Sequence, residues 1–338
     1  MRIALDAMGG DHAPREIVLG AWETCREIGL KVILVGDQDV LQREVELLGP
    51  CKGLEILHAP EVIRMDEAPA TAVRRKKNSS VVMAAELVRS GEAMAMVSAG
   101  STGATMAASL LRLGRIKGID RPAIASVLPT ERGAVILLDV GANVDCKAKN
   151  LLQFAFMGSL YAKKVLGVEK PRVGLLNVGE ESTKGNELTQ DTYVMLSGAG
   201  INFYGNIEGR DIFQGTVDVV VCDGFIGNIV LKTSEGLVDV LMKMIKKEMQ
   251  QNSLTKIGAA LALPSLKNLK KRLDYSEYGG APLLGINGVA IVCHGSSNSL
   301  AIKNALGCAR ESVETGLIKS IGACLYDPAR EVGCADEQ

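Results

Sequence analysis

Met96-Val-Ser-Ala-Gly-Ser-Thr-Gly-Ala104 is the stretch on which the fold turns. A strand-like run near 94–98 stops in a Gly/Ser loop, and a small-residue helical pattern follows near 103–112. Five more junctions repeat this form: IALDAMGGD (Ile3 to Asp11), ILLDVGAN (Ile136 to Asn143), LLNVGEESTKG (Leu175 to Gly185), VVVCDGFIGN (Val219 to Asn228) and AIVCHGSSN (Ala290 to Asn298). Open α/β sheets bind ligands just beyond the carboxyl ends of their strands. Small residues there let backbone N–H groups approach an anion, and a following helix start adds its positive end. One such loop means little. Six predict a shared anion-binding rim.

Working outward, strands are predicted near 2–6, 31–36, 54–58, 94–98, 123–128, 134–139, 172–177, 201–204, 217–222 and 289–293. Helical patterns fall near 14–28, 38–48, 78–90, 103–112, 147–166, 186–198, 227–249 and 297–318. The alternation predicts an α/β fold with a mostly parallel sheet covered on both faces. Without repeats or a linker tract, residues 1–330 read as one interleaved, two-lobed domain. Ala93 to Leu111 is uncharged and long enough to span a bilayer. Its central Ser98, Gly100, Ser101, Thr102, Gly103, Thr105 and Ser109 fit a strand, a turn and a helix better.

Residues 236–280 break the alternation and predict a protruding helical arm. Leu237, Val240, Leu241, Met244 and Ile245 share one face of a long helix. Leu254, Ile257 and Leu261 follow, then Pro264, then Leu266, Leu269 and Leu273. Between Met249 and Leu273 stand Lys256, Lys267, Lys270, Lys271 and Arg272 without an acid. Two short basic amphipathic helices meeting at Pro264 suit an anionic membrane surface. A dimer element with solvated lysines accounts for the same pattern equally well.

The 338 residues are 47% hydrophobic, ample for a full core. Lys+Arg 38 against Asp+Glu 39 leaves a net charge of -1, and only 4% of residues are aromatic, so neither a basic field nor a stacking platform points to nucleic acid. The eight cysteines form no Cys-x-x-Cys and no zinc spacing with histidine, and read as scattered thiols of a reducing compartment. No secretory signal is visible, since Arg2 is followed by three apolar residues before Asp6.

The sequence has no dinucleotide fingerprint, Walker loop or nucleophile elbow. His58 lies in an apolar strand, whereas His12 and His294 sit in glycine loops. Ser98 to Gly103 offers donors to a phosphate or an oxyanion, and equally reads as a turn with an N-cap. Asp139, Asn143, Asn177, Glu180, Glu181, Lys184 and Asn228 stand at strand ends or helix starts, where caps are the commoner role. Arg74 to Lys77 is a charge run, solvated by default and suited to an acidic partner otherwise.

DAMGGDHAP, DEAPATAVRRKKNSS (Asp66 to Ser80), SAGSTGA, DVGAN, NVGEESTKGNE, GFIGN and GINGVAIVCHGSSN stand in this order. In that order they resemble the bacterial acyl-acyl carrier protein:phosphate acyltransferases over roughly residues 1 to 328. The resemblance implies an α/β/α sandwich like that of phosphotransacetylases and isocitrate/isopropylmalate dehydrogenases. It implies transfer of a long-chain acyl group from acyl carrier protein to inorganic phosphate. It further implies a cytoplasmic homodimer, peripherally bound to membrane, that serves a membrane glycerol-phosphate acyltransferase, with no metal and no cofactor. Read from the residues themselves, Ser98, Gly100, Ser101, Thr102 and Gly103 with Lys184 are expected to hold phosphate, Asp6, Gly9 and Gly10 to bind phosphate or substrate, and His294, Lys184 and Asn143 to be the catalytic candidates. Asn143, Asn228, Gly295, Ser296 and Asn298 orient the thioester, and His294 stabilises charge or protonates sulfur. A short-chain acyl-CoA phosphotransacetylase, a decarboxylating dehydrogenase and a non-catalytic carrier-binding adaptor are the alternatives.

Overall fold

The computed structural model describes residues 1–273 and 279–326. Along the chain run β1 (Arg2–Asp6), α1 (Arg15–Ile28), β2 (Lys31–Gly36), α2 (Gln38–Leu48), β3 (Leu54–His58), α3 (Pro69–Arg75), α4 (Ser80–Ser90), β4 (Ala95–Ser98) and α5 (Thr102–Leu113). Next come β5 (Ala123–Thr130), β6 (Gly133–Leu138), α6 (Ala148–Lys164), β7 (Val173–Leu176), α7 (Glu187–Ser197), β8 (Phe203–Ile207), α8 (Asp211–Gln214) and β9 (Val219–Val221). The last elements are α9 (Gly224–Met249), α10 (Ser253–Leu273), β10 (Ala281–Leu284), β11 (Val289–Val292), α11 (Ser299–Glu314) and α12 (Leu317–Tyr326).

Among the described residues all eleven strands join one sheet, in the order β3-β2-β1-β4-β11-β10-β5-β6-β9-β7-β8. Alternate side chains feed opposite faces. Ala4 and Met96 enter a core under α4 and α5 that continues to Val135, Leu137 and Val220. Ile3, Leu5 and Val97 meet α1 and α11 on the other face. Farther along that face, Ile136 and Leu138 meet Phe154 and Tyr161 of α6. The result is the α/β/α sandwich the alternation predicts.

The sheet is mostly parallel, as the alternation predicts, with three antiparallel pairs at its middle. β3, β2, β1, β4 and β11 are parallel, as are β6, β9, β7 and β8. Between these halves, β10 is antiparallel to β11 and to β5, and β5 pairs with β6 as a hairpin closing at Thr130 and Gly133. Three reversals leave the two parallel halves pointing opposite ways. Their carboxyl ends therefore lie on opposite edges of the sheet.

The arm is a helical hairpin. α9 buries only Gly224 and Gly227, at its start. Leu237, Val240, Leu241 and Met244 are exposed on α9, and Ile257, Leu261, Leu263 and Leu269 on α10. Instead of two helices meeting at Pro264, α10 runs through it as one helix. That proline removes one helical N–H bond, a loss of about 3 kcal/mol in a helix interior. Lys267 and Arg272 are exposed. The side chains of Leu254, Lys270 and Lys271, residues 274–278 of the arm and 327–330 of the domain lie outside the described residues.

Candidate active site

At the first edge, Asp6 ends β1 and Ser98 ends the neighbouring β4. Ser98 Oγ donates to Asp6 Oδ2 at 2.7 Å, and the Gly100 N–H donates to Ser98 Oγ at 3.1 Å. The Met8 N–H donates to Asp6 Oδ1 at 3.3 Å, and the Ser80 hydroxyl bonds the same carboxylate. Asp6, Ser80 and Ser98 are all buried. Loss of water pushes the Asp6 carboxyl above its ordinary 3.8, while bonds from Ser80, Ser98, Met8 and Gly9 pull it down.

These groups enclose a cavity of about 10 Å³ lined by Asp6, Gly9, Ser80, Ser98, Gly100 and Ser101. That is room for about one water. Ser80 opens α4, and Ser101 caps α5 by accepting from the Ala104 N–H at 3.4 Å, so two helix N-termini meet the cavity. Their partial positive ends favour an anion. A side chain at Gly9 has no room, because its Cβ would stand 2.6 Å from Asp6 Oδ2 and 2.7 Å from Gly100 N.

The third loop of this edge follows β11. The Asp11 N–H donates to Gly295 O at 2.7 Å, tying Gly10 and its loop to it. His294 is exposed, and its Nδ1 accepts the Ser296 N–H at 3.2 Å with Ser296 Oγ at 2.7 Å. That bond places the proton of the neutral ring on Nε2. Asn298 caps α11 through the Ala301 N–H at 3.0 Å. Thr102 is exposed, and Gly103 lies against Pro69, its would-be Cβ 2.7 Å from Pro69 Cγ.

The opposite edge is built differently. Asp139, fully buried, accepts from the N–H groups of Ile124 (2.9 Å), Ala142 (3.2 Å) and Asn143 (2.7 Å) and from Asn143 Nδ2 (2.9 Å). Asn143 Nδ2 also donates to Pro122 O at 2.7 Å, so both of its amide hydrogens are engaged inside the protein. Helix α9 lies directly on this turn. A Cβ at Gly227 would fall 1.9 Å from Asp139 O, and one at Gly224 would fall 2.7 Å from Asn143 O. The glycines of GFIGN therefore serve close packing. Asp223, not Asn228, caps α9, accepting from the Ile226 N–H at 2.9 Å; Asn228 is an exposed residue within the helix.

Lys184 is exposed in the loop after β7, where Asn177 Nδ2 donates to its carbonyl at 3.1 Å. One chain therefore brings together Asp6, Gly9, Gly10, the 98–103 loop and the 294–298 loop, and sets Asn143, Lys184 and Asn228 on the other edge. The single rim of six loops is corrected to two.

Val62, Ile63, Ser80, Val81, Ala104 and Thr105 also line the cavity, and none of them was a candidate site residue from sequence. The signals for Ser80 were its place at the end of the Asp66 to Ser80 motif and Asn78-Ser-Ser80 before an apolar helix, which reads as a cap. In the Arg74 to Lys77 run, Lys76 Nζ bonds Glu67 Oε1 at 2.6 Å and Val62 O at 2.8 Å, clasping the loop that borders the cavity, while Arg74, Arg75 and Lys77 are exposed. His58 ends β3 exposed, accepting the Gln38 N–H at 3.2 Å. Burial pushes the thiols of Cys25 and Cys293 up to about 12 and that of Cys146 to about 11, which keeps them protonated and poor as nucleophiles. Among the described residues no helix is long and apolar enough to cross a membrane.

Residues 1–320 match the family described as fatty acid synthesis protein. A phosphate acyltransferase of Pelotomaculum thermopropionicum is 62% identical over 321 residues, spanning 95% of this chain and 94% of that protein. One from Heliobacterium modesticaldum is 59% identical over 323 residues, 95% and 96% of the two chains. Among solved structures, the EutD phosphotransacetylase from Staphylococcus aureus superposes with a TM-score of 0.61 at 16% identity, over 93% of this chain and 94% of its own. A phosphotransacetylase from Streptococcus pyogenes gives 0.60 at 17%, over 96% and 94%. At those identities the likeness shows the shared fold. The sequence relatives show more: the chain belongs to the phosphate acyltransferase family of fatty acid synthesis proteins and is an acyltransferase enzyme.

Proposed function

We propose that the enzyme transfers a long-chain acyl group from the thioester of acyl carrier protein to inorganic phosphate, for phospholipid synthesis. The cavity beneath Ser98 and Gly100 carries this reading. It joins two helix N-termini, two buried hydroxyls and a carboxylate at one strand edge. A phosphate oxygen attacks the thioester carbonyl, forming a C–O bond as the C–S bond breaks. The hydrogen that phosphate brings leaves on the carrier thiol, giving acyl phosphate. Phosphate is already anionic, so the enzyme's task is placement more than deprotonation. Backbone N–H groups of the 98–103 and 294–298 loops suit the carbonyl oxyanion. His294, on the same edge, would relay that hydrogen to the sulfur, giving up its own proton and taking the one from phosphate, and the thiol's ordinary pKa of about 8.5 makes that help modest.

The exposed apolar faces of α9 and α10 support a homodimer, with contact to an anionic membrane through the basic end of the arm. A cytoplasmic enzyme held there peripherally can pass its product to a membrane glycerol-phosphate acyltransferase. Lys184, Asn143 and Asn228 take part at the first edge only if a second copy carries them there. The deciding measurement compares acyl-carrier and acyl-CoA donors in phosphate-dependent thiol release with purified enzyme. A strong preference for the carrier is expected. Equal or better turnover with short-chain acyl-CoA replaces this reading with a phosphotransacetylase, the activity named for the structural neighbours.

A further inference from the structure

We infer that Asp6 selects the oxyanion by the hydrogen it carries: the buried carboxylate accepts the P–OH of inorganic phosphate, admits arsenate likewise, and turns sulfate away. The inference rests on the reading of the Ser98–Gly103 cavity as the phosphate site and names the residue that sets its specificity.

Geometry leads to it. The floor of the cavity is a carboxylate, 2% exposed, at the meeting point of two helix N-termini. The helix starts and hydroxyls of the lining favour a negative ligand and Val62, Ile63, Val81 and Ala104 are apolar, whereas Asp6 repels an anion. The space beside it, about 10 Å³, admits a single oxygen of a tetrahedral anion, leaving the other oxygens outward near Gly100 and Ser101. A bare anionic oxygen there would face an ionised carboxylate with no hydrogen between them, in a buried site where bulk solvent screens the charges little. A P–OH in the same place donates to it.

Two of the groups now bonded to Asp6 are the Ser80 and Ser98 hydroxyls. Hydroxyl hydrogens rotate, so both can turn toward an incoming ligand and release carboxylate lone pairs for the P–OH. Burial also raises the affinity of this carboxyl for a proton, which makes it a better acceptor. Phosphate and arsenate keep an O–H at neutral pH, and sulfate keeps none. Hydrogen phosphate and sulfate share shape and charge, so helix dipoles and size do not separate them. The hydrogen does.

The test uses the full-length enzyme at fixed ionic strength and neutral pH. Titration calorimetry with phosphate, arsenate and sulfate is run on the wild type and on Asp6→Asn. Wild type is expected to bind phosphate and arsenate within about tenfold of each other, and sulfate about 100-fold more weakly, the scale of a lost hydrogen bond to a charged group. In Asp6→Asn the side-chain NH₂ donates to a bare oxygen, so the sulfate deficit should shrink below about tenfold. Wild type binding sulfate as well as phosphate overturns the inference and leaves the phosphate site standing. A selectivity that survives Asp6→Asn unchanged, in protein shown folded by circular dichroism, does the same. Phosphate failing to bind wild type at all overturns the site reading with it. If Asp6→Asn does not fold, the order of the three anions on wild type decides alone.

Discussion

Ser98 Oγ donates to Asp6 Oδ2 at 2.7 Å across 92 residues of sequence, and the Gly100 N–H donates back to Ser98 Oγ at 3.1 Å. One hydroxyl thus joins two strand ends and the glycine loop. Ser98→Ala removes a donor from a buried carboxylate and an acceptor from a backbone N–H. Each group left unmatched costs about 1–3 kcal/mol. The thermal midpoint should fall by several degrees, and the KM for phosphate should rise more than kcat falls. Wild-type kinetics in this variant would remove the 98–103 loop from the phosphate site.

Asp6 also sets a direction for stability against pH. Its folded-state pKa lies above 3.8, so between 3.8 and that higher value the folded protein binds more protons than the unfolded chain. The contribution of this group is therefore full below 3.8 and is lost as pH rises through the folded value. Denaturant midpoints of wild type and Asp6→Asn, measured from pH 4 to 8 (a range of about four units), should show the wild type's relative standing decline upward. A relative gain with rising pH would mean that the hydrogen bonds hold Asp6 ionised against its burial.

Glycines in α9 should separate by position. Gly227→Ala drives a methyl to within 1.9 Å of Asp139 O, so the helix must lift off its turn. Overpacking of this kind costs about 3 kcal/mol or more. Gly236, in the same helix, has open space around it, and Gly236→Ala should stabilise by roughly 0.5–1 kcal/mol. Opposite shifts in unfolding midpoint are expected. Two similar shifts would show that α9 does not rest on Asp139.

Much of the sandwich was legible because hydrophobic runs such as Val32 to Val35 and Val289 to Val292 are short, β-rich and bounded by loops. β10 escaped because Ala281-Pro-Leu-Leu284 holds a proline and is four residues long. The mostly parallel pairing was legible in the β/α alternation, and the antiparallel pairs at the middle of the sheet were not. Nothing in a period of two says which way a strand runs, so the hairpin at Thr130–Gly133 and the insertion of β10 reversed half the sheet unseen. That is why loops of one composition divided between two edges. Composition also does not separate a glycine that makes room for an anion from Gly227, which makes room for a carbonyl. Ser80 needed the fold, since only α4 packing on β1 brings it to Asp6.

His294 tests the proton given to sulfur. Its Nδ1 is engaged by Ser296, leaving Nε2 as the proton-bearing nitrogen of the neutral ring. Gln keeps a donor and cannot titrate. If the ring is the general acid, kcat of His294→Gln should fall about 100-fold or more, with the loss shrinking for thiols of lower pKa. A variant that keeps near-full kcat with every thiol assigns the ring a positioning role.

The arm separates into charge and grease. Lys267 and Arg272 are exposed near the end of α10, in the stretch that also carries Lys270 and Lys271, while Leu261 and Ile257 are exposed toward its start. On an anionic bilayer each cation contributes about 1 kcal/mol, so changing all four to Gln should weaken liposome binding by orders of magnitude. Turnover of soluble acyl-carrier substrate should remain largely intact. Leu261→Asp with Leu266→Asp keeps every cation and removes apolar anchoring, and should abolish liposome binding. Salt should weaken the wild type and leave little further loss in the charge variant. Sedimentation decides the competing role, because α9 and α10 present apolar faces that a second copy can equally cover. Both variants binding liposomes normally while sedimenting as monomers would make the arm a dimer element and end the membrane assignment.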